Sequence, residues 1–366
     1  MSAAARLAIV VLAALVASPL LAGAARSERE SHRRVAGNSS QPAKTRKRRR
    51  SKKHRRREPR KPTLSDKVKK VIRGPLGITF VLHLDSAPYP ARGAGPYRDP
   101  TVVVFVPRYY RVDRDRRLDI LLHFHGHRAT AAGAIKRFQL DKQLYDSRQN
   151  AILVAPQGPV RANDSRCGKL DKPKGLVHFL GELRRTLQAR KVRYALKGAI
   201  PSGYLRVGKL VISAHSGGYR VTARILEHGG FPVSEVYLFD AMYADHKKFA
   251  KWLLATRGGP TKRRRKLVSY LQDTPVIREN QALMAMLDKA KYRYKYEKKE
   301  GTVLSRRALS HYRAIFIRTQ RSHSGLQWRN NALRDCLFAS TLRRFLRAGW
   351  YKQSKGPRPI DKRTKR

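Results

Sequence analysis

Cysteine is nearly absent from this 366-residue chain, which has only Cys167 and Cys336. Two cysteines can close one bridge in an oxidising compartment, so no multi-disulfide framework holds the fold. Their spacing does not resemble a zinc site. Cys336 lies among Leu333, Leu337 and Phe338 at helical spacing, where a buried thiol is as good a reading as a bridge. Long apolar runs are also missing. The longest, Leu7–Ala22, is interrupted by Ser18 and Pro19 and falls short of the roughly 20 residues that span a bilayer. No cysteine follows that run, which argues against a lipid-anchored form, and no internal repeat is evident.

Acidic residues are the third scarcity: 25 Asp and Glu face 82 Lys and Arg, a net charge of +57. The excess is uneven. Residues 26–75 hold 21 Lys/Arg and four Asp/Glu, residues 353–366 hold six and one, and about +34 remains on residues 76–352. The stretch Lys44–Lys61 is almost continuous Lys/Arg with no apolar periodicity, which predicts a disordered basic arm over 26–75. Such an arm can bind an anionic polymer or membrane surface by neutralising phosphates and releasing counterions; a solvated linker without a partner is the plainer alternative. No specific protein partner is implied.

Arg6, the run to Ala22 and the small residues Ala22-Gly23-Ala24 have the form of a secretory signal over residues 1–25. Export to a periplasmic or extracellular space is therefore expected, and a nuclear-localisation reading of the basic run conflicts with it.

From residue 76 to 352 the pattern is that of one folded domain. Apolar runs at 77–84, 101–107, 118–125, 150–155, 207–214, 235–240, 267–272 and 312–319 read as eight strands. Helical spacing between them covers 130–144, 175–190 and 280–292, with a closing helix over 328–348. Strands alternating with helices predict an α/β fold, a mostly parallel sheet with helices on both faces.

The fifth run is followed by Ala214-His215-Ser216-Gly217-Gly218, after which helix-compatible residues resume at Tyr219. A serine on a sharp strand-to-helix turn needs small neighbours, because larger ones collide across the turn. The helix behind it aims its first amides at negative charge developing beside the serine. His215 itself reads as a packing or rim residue.

On these residues, and on their order, the domain resembles the α/β-hydrolase superfamily over about three quarters of the chain. The resemblance implies a serine hydrolase in which Ser216 is the nucleophile and His323, the histidine beyond the eighth run, is the general base. It implies an acid between them in sequence: Asp240 at the end of the sixth run, favoured because an abrupt carboxylate there needs a bonded role, with Asp273 after the seventh as the alternative and Asp245 third. His125-Gly126 ends the third run as in that family, so the oxyanion hole is expected from the amide of Gly217 and one near His127–Arg128, with Gly126 allowing close approach. No cofactor is expected. An esterase or amidase acting on a small or wall-associated acyl compound follows by fold analogy, since the segment after the sixth run, Ala241–Lys266, is too short for a large apolar lid.

Two other classes fit parts of the sequence. His123, His125 and His127 alternate on one strand and could share a metal ion, making a metallohydrolase. Alternatively, a catalytically inactive protein could use the same fold and basic surface to hold a polyanion.

Overall fold

The computed structural model of the chain describes residues 63–91, 95–260, 265–300, 306–328 and 331–344. The signal segment, most of the basic arm and the 353–366 tail lie outside them.

The apolar runs form strands because each is covered on both faces, so alternate positions feed two separate cores. In strand β4 (Arg117–Phe124), Leu118, Ile120, Leu122 and Phe124 pack into one core while Leu121 packs into the other. The other predicted runs are β2 (Gly77–His83), β3 (Thr101–Pro107), β5 (Ile152–Pro156), β6 (Arg206–His215), β7 (Glu235–Phe239), β8 (Lys266–Leu271) and β10 (Ala314–Arg318). Two further strands, β1 (Val68–Arg73) and β9 (Lys295–Glu297), extend the sheet to ten, in the order β1-β2-β3-β5-β4-β6-β7-β8-β10-β9. The pairs from β1 to β5 along this order are antiparallel, and those from β5 to β9 are parallel. This is the α/β-hydrolase arrangement.

The first strand corrects the expected domain boundary. Residues 68–73 fall within the expected disordered arm, because Val-Lys-Lys-Val-Ile-Arg shows no clean alternation, yet they pair into the sheet. A bulge between Val68 and Lys70 breaks the pattern, and only Val68 is buried. The strand is a charged sheet edge, which also discourages pairing with other chains. Just before it, Lys67 reaches the Glu182 carboxylate, which also accepts from the Ser86 amide at 2.7 Å. Burial works to raise the Glu182 pKa, but these hydrogen bonds outweigh it and bring it down to about 2.

Helices α3 (Gly175–Leu187), α4 (Arg190–Ala195), α5 (Tyr219–His228), α6 (His246–Leu254) and α7 (Thr274–Lys289) contribute to one core; α1 (Ala131–Phe138), α2 (Leu140–Ser147), α8 (Arg306–His311) and α9 (Ala332–Phe338) contribute to the other. The helix expected over 130–144 is two, because Gln139 adopts φ 49° between them. The closing helix expected over 328–348 is described only as α9. Cys167 and Cys336 are both buried free thiols, so the pairing weighed from sequence is not made. Lys266, the last residue of the segment after the sixth run, is buried at the start of β8, donating to the Leu309 and Ala339 carbonyls at 2.8 and 2.7 Å.

Candidate functional site

The parallel strands deliver their chemistry at their C-terminal ends. Strand β6 ends at His215, Ser216–Gly218 makes a single 3-10 turn, and α5 begins at Tyr219. Ser216 adopts φ 52°, a left-handed conformation that costs a side-chain-bearing residue roughly 1–2 kcal/mol. The surrounding glycines show why the turn tolerates no bulk. A Cβ on Gly126 would sit 2.6 Å from the Ser216 Cβ, and one on Gly218 would sit 2.6 Å from the Phe124 carbonyl oxygen.

Asp240 follows β7 directly, is fully buried and has φ 48°. Both of its oxygens are engaged. Oδ1 accepts from the amides of Gln272 and Asp273 at 2.9 and 3.1 Å, and Oδ2 lies 2.6 Å from His323 Nδ1. A buried carboxylate without partners would be costly, so this saturation keeps the position tenable. The backbone amide of Asp240 is anchored in turn to the Tyr270 carbonyl at 2.9 Å.

His323 sits in the loop after β10 with its side chain 36% exposed. Its carbonyl is 2.8 Å from His215 Nε2, and the two imidazole rings are 4.6 Å apart. Burial is the main reason the His215 pKa falls to about 4, so near neutrality it is an uncharged donor that secures the His323 loop. His215 thus packs and positions, as its sequence context implied.

The other two acids go elsewhere. Asp273 caps α7, accepting from the Thr274 amide at 2.9 Å, and its Oδ2 lies 3.3 Å from the Tyr243 hydroxyl. Asp245 precedes α6 and pairs with Lys248 at 3.2 Å. The carboxylate against His323 is that of Asp240.

Two residues that the sequence reading did not single out belong to this neighbourhood. The Tyr243 hydroxyl reaches Asp273 Oδ2 at 3.3 Å, and its ring lies 6.4 Å from that of His323. Ser165 Oγ is 2.7 Å from His127 Nε2, and the two side chains close over Gly217, where an added Cβ would meet each within 2.6 Å. The amide of Arg128 is spent on the Ala162 carbonyl at 2.8 Å. That removes Arg128 from the expected oxyanion donors and leaves the amides of Gly217 and His127. Behind the elbow, Phe124, Gly126, Ser165, Gly217, Gly218 and Val221 line a cavity of about 30 Å³, room for about one water.

The three alternating imidazoles do not converge. His123 is fully buried with Nδ1 3.2 Å from Ser213 Oγ; His125 accepts from the Gly158 amide at Nε2 and faces its neighbour's carbonyl at Nδ1; His127 turns out to Ser165. The strand ends at Phe124, so the alternation that would have aligned them stops before His127. Among the described residues, no three His, Cys, Asp or Glu side chains are grouped as a metal would need.

No protein-family model matches the chain, and no curated protein matches it. Among solved structures it is similar to a ferulic acid esterase, at TM-score 0.43 and 14% identity over 73% of this chain and 95% of that one. It is also similar to FphF, a fluorophosphonate-binding serine hydrolase of Staphylococcus aureus, at TM-score 0.40 and 9% identity over 72% and 97%. A third likeness is to S-formylglutathione hydrolase FrmB of the same organism, at TM-score 0.41 and 10% identity over 74% and 99%. At these identities the likeness is one of fold.

Proposed function

We propose that the chain is a serine hydrolase that cleaves an ester or amide through Ser216, His323 and Asp240. The observation that carries the reading is the 2.6 Å contact between His323 Nδ1 and a fully buried Asp240, beside a serine held at positive φ on a strand-to-helix turn. With Nδ1 committed to the carboxylate, Nε2 is the nitrogen left to take the Ser216 proton as Oγ attacks the carbonyl carbon. The oxyanion so formed is held by the amides of Gly217 and His127, the first in the turn that leads into α5, where the helix dipole favours negative charge. The imidazolium then gives its proton to the departing alcohol or amine. Water, deprotonated by His323, attacks the acyl-enzyme, and the acid leaves as Ser216 recovers its proton.

The cavity behind the elbow is too small for an acyl chain, which favours a substrate lying along the open ends of the strands.

The test is covalent labelling of the purified chain by a fluorophosphonate, with the modified residue located by peptide mass spectrometry. Modification at Ser216 is expected. A folded protein that stays unlabelled would favour the catalytically inactive polyanion-binding alternative.

Export with removal of about 24 residues, and anchoring by the basic arm, are parts of the same proposal. The arm is best removed as residues 26–62, because Lys67 and β1 belong to the fold. That deletion takes out 17 Lys/Arg. Binding to an anionic polymer is expected to weaken and its salt slope to become shallower, by up to about 0.9 for each duplex-DNA phosphate that the arm no longer neutralises. Turnover of a small neutral ester should stay unchanged. An unchanged salt slope assigns polyanion binding to the body of the domain.

A further inference from the structure

The parallel sheet has a second end. Ser216, Asp240 and His323 follow the C-terminal ends of β6, β7 and β10, whereas Arg313 immediately precedes the N-terminal end of β10, a strand of about 16 Å. Around Arg313 lies an open cleft of about 530 Å³ whose lining includes Arg257, Lys291, Arg293 and His311, and no carboxylate.

The guanidinium of Arg313 is the informative group. Its Nε and Nη1 are buried without a hydrogen-bond partner. An unpaired buried donor costs roughly 1–3 kcal/mol, and more when charged, and arginine cannot shed its proton to escape. Its surroundings do not relieve it. Arg313 adds to the main effect of burial in lowering the pKa of Lys266, to about 8, and also contributes to lowering that of Lys209. Glu235 is the counter-charge to those two lysines and is held by the Thr341 amide and the Ser340 hydroxyl at 2.6 and 3.0 Å. Asp288, on the last turn of α7, accepts from the Tyr294 hydroxyl at 3.1 Å. Arg257, Lys291, Arg293 and Arg313 therefore line one cleft that has no carboxylate in its lining.

We propose that this cleft is a binding site for a polyvalent phosphate, separate from the hydrolytic site and facing away from it. Guanidinium groups match the paired oxygens of a phosphoryl group, and Arg313 brings one into the cleft lining, with its Nε and Nη1 buried and unpaired beneath the surface. Lys291 and Arg293, both exposed, supply charge at the rim. A free anion and a lipid headgroup would present the same chemistry.

Calorimetric titration of the full chain at fixed ionic strength tests the site, with inorganic pyrophosphate and phosphatidylglycerol vesicles as separate probes. The variant K291Q/R293Q removes two rim charges; K172Q/R185Q removes two exposed charges elsewhere and controls for net charge. At least one probe is expected to bind saturably, at least tenfold more weakly to K291Q/R293Q and within about twofold of the parent for the control. Whichever probe shows this difference identifies the source of the phosphate. Arg313→Gln should weaken binding further; if that variant fails to fold, the rim pair still decides. Equal weakening in both doubles, or no saturable binding of either probe, overturns the proposal. Ester turnover should be unchanged in the rim variant.

Discussion

Ser216→Ala is expected to lower turnover by about five to six orders of magnitude, because members of a nucleophile–base–acid unit act together and losing the nucleophile removes nearly all the benefit. The residual rate over water comes from the oxyanion donors, which the substitution leaves in place. The fold should hardly notice. Alanine and serine bear similar strain at φ 52°, and the hydroxyl removed is half-exposed rather than part of a core network. Thermal melting and far-UV circular dichroism should therefore match the parent while steady-state hydrolysis of an activated ester and fluorophosphonate labelling both disappear. Activity within about tenfold of the parent, in a folded protein, would remove Ser216 from the chemistry altogether.

That residue was legible because its constraint is local. A serine held at positive φ between a strand and a helix demands Gly126, Gly217 and Gly218 around it, and two of those three lie in the same five-residue stretch as the serine. The eight strands were legible for a similar reason: covered on both faces, they read as continuous apolar runs. β1 and β9 were not, the first because a bulge and edge lysines erase its alternation, the second because three residues, Lys-Tyr-Glu, carry no period. Tyr243 and Ser165 had no signal at all. Each reaches the site from its own loop, and only the folded chain places the tyrosine ring near that of His323 and the serine against His127. The choice among Asp240, Asp273 and Asp245 was open for the same reason, since all three follow apolar strands or open helices and only contact with His323 separates them.

That separation makes the acids the sharpest comparison. Asp240→Asn is expected to reduce kcat by about 10⁴, and Asp273→Asn by less than about tenfold. The geometry dictates how the new amide must sit. Oδ1 of Asp240 accepts from two backbone amides, so the asparagine oxygen keeps those bonds and the fold with them. The amide nitrogen is then turned toward His323 Nδ1, where it can only donate. Nδ1 must become the acceptor, the ring proton moves to Nε2, and the nitrogen needed to receive the Ser216 proton already carries one. The charge that would have stabilised the imidazolium is lost as well. At position 273 the logic runs the other way: asparagine caps a helix as well as aspartate does, so the start of α7 is preserved, and its oxygen can still accept from Tyr243. Only a charge near the tyrosine disappears, outside the line from Asp240 to His323. Steady-state kinetics on one ester, with melting temperatures for both variants, provide the measurement. The opposite ranking, in two folded proteins, would transfer the acid's role to Asp273 and leave the 2.6 Å contact at Asp240 as a structural tether for the His323 loop.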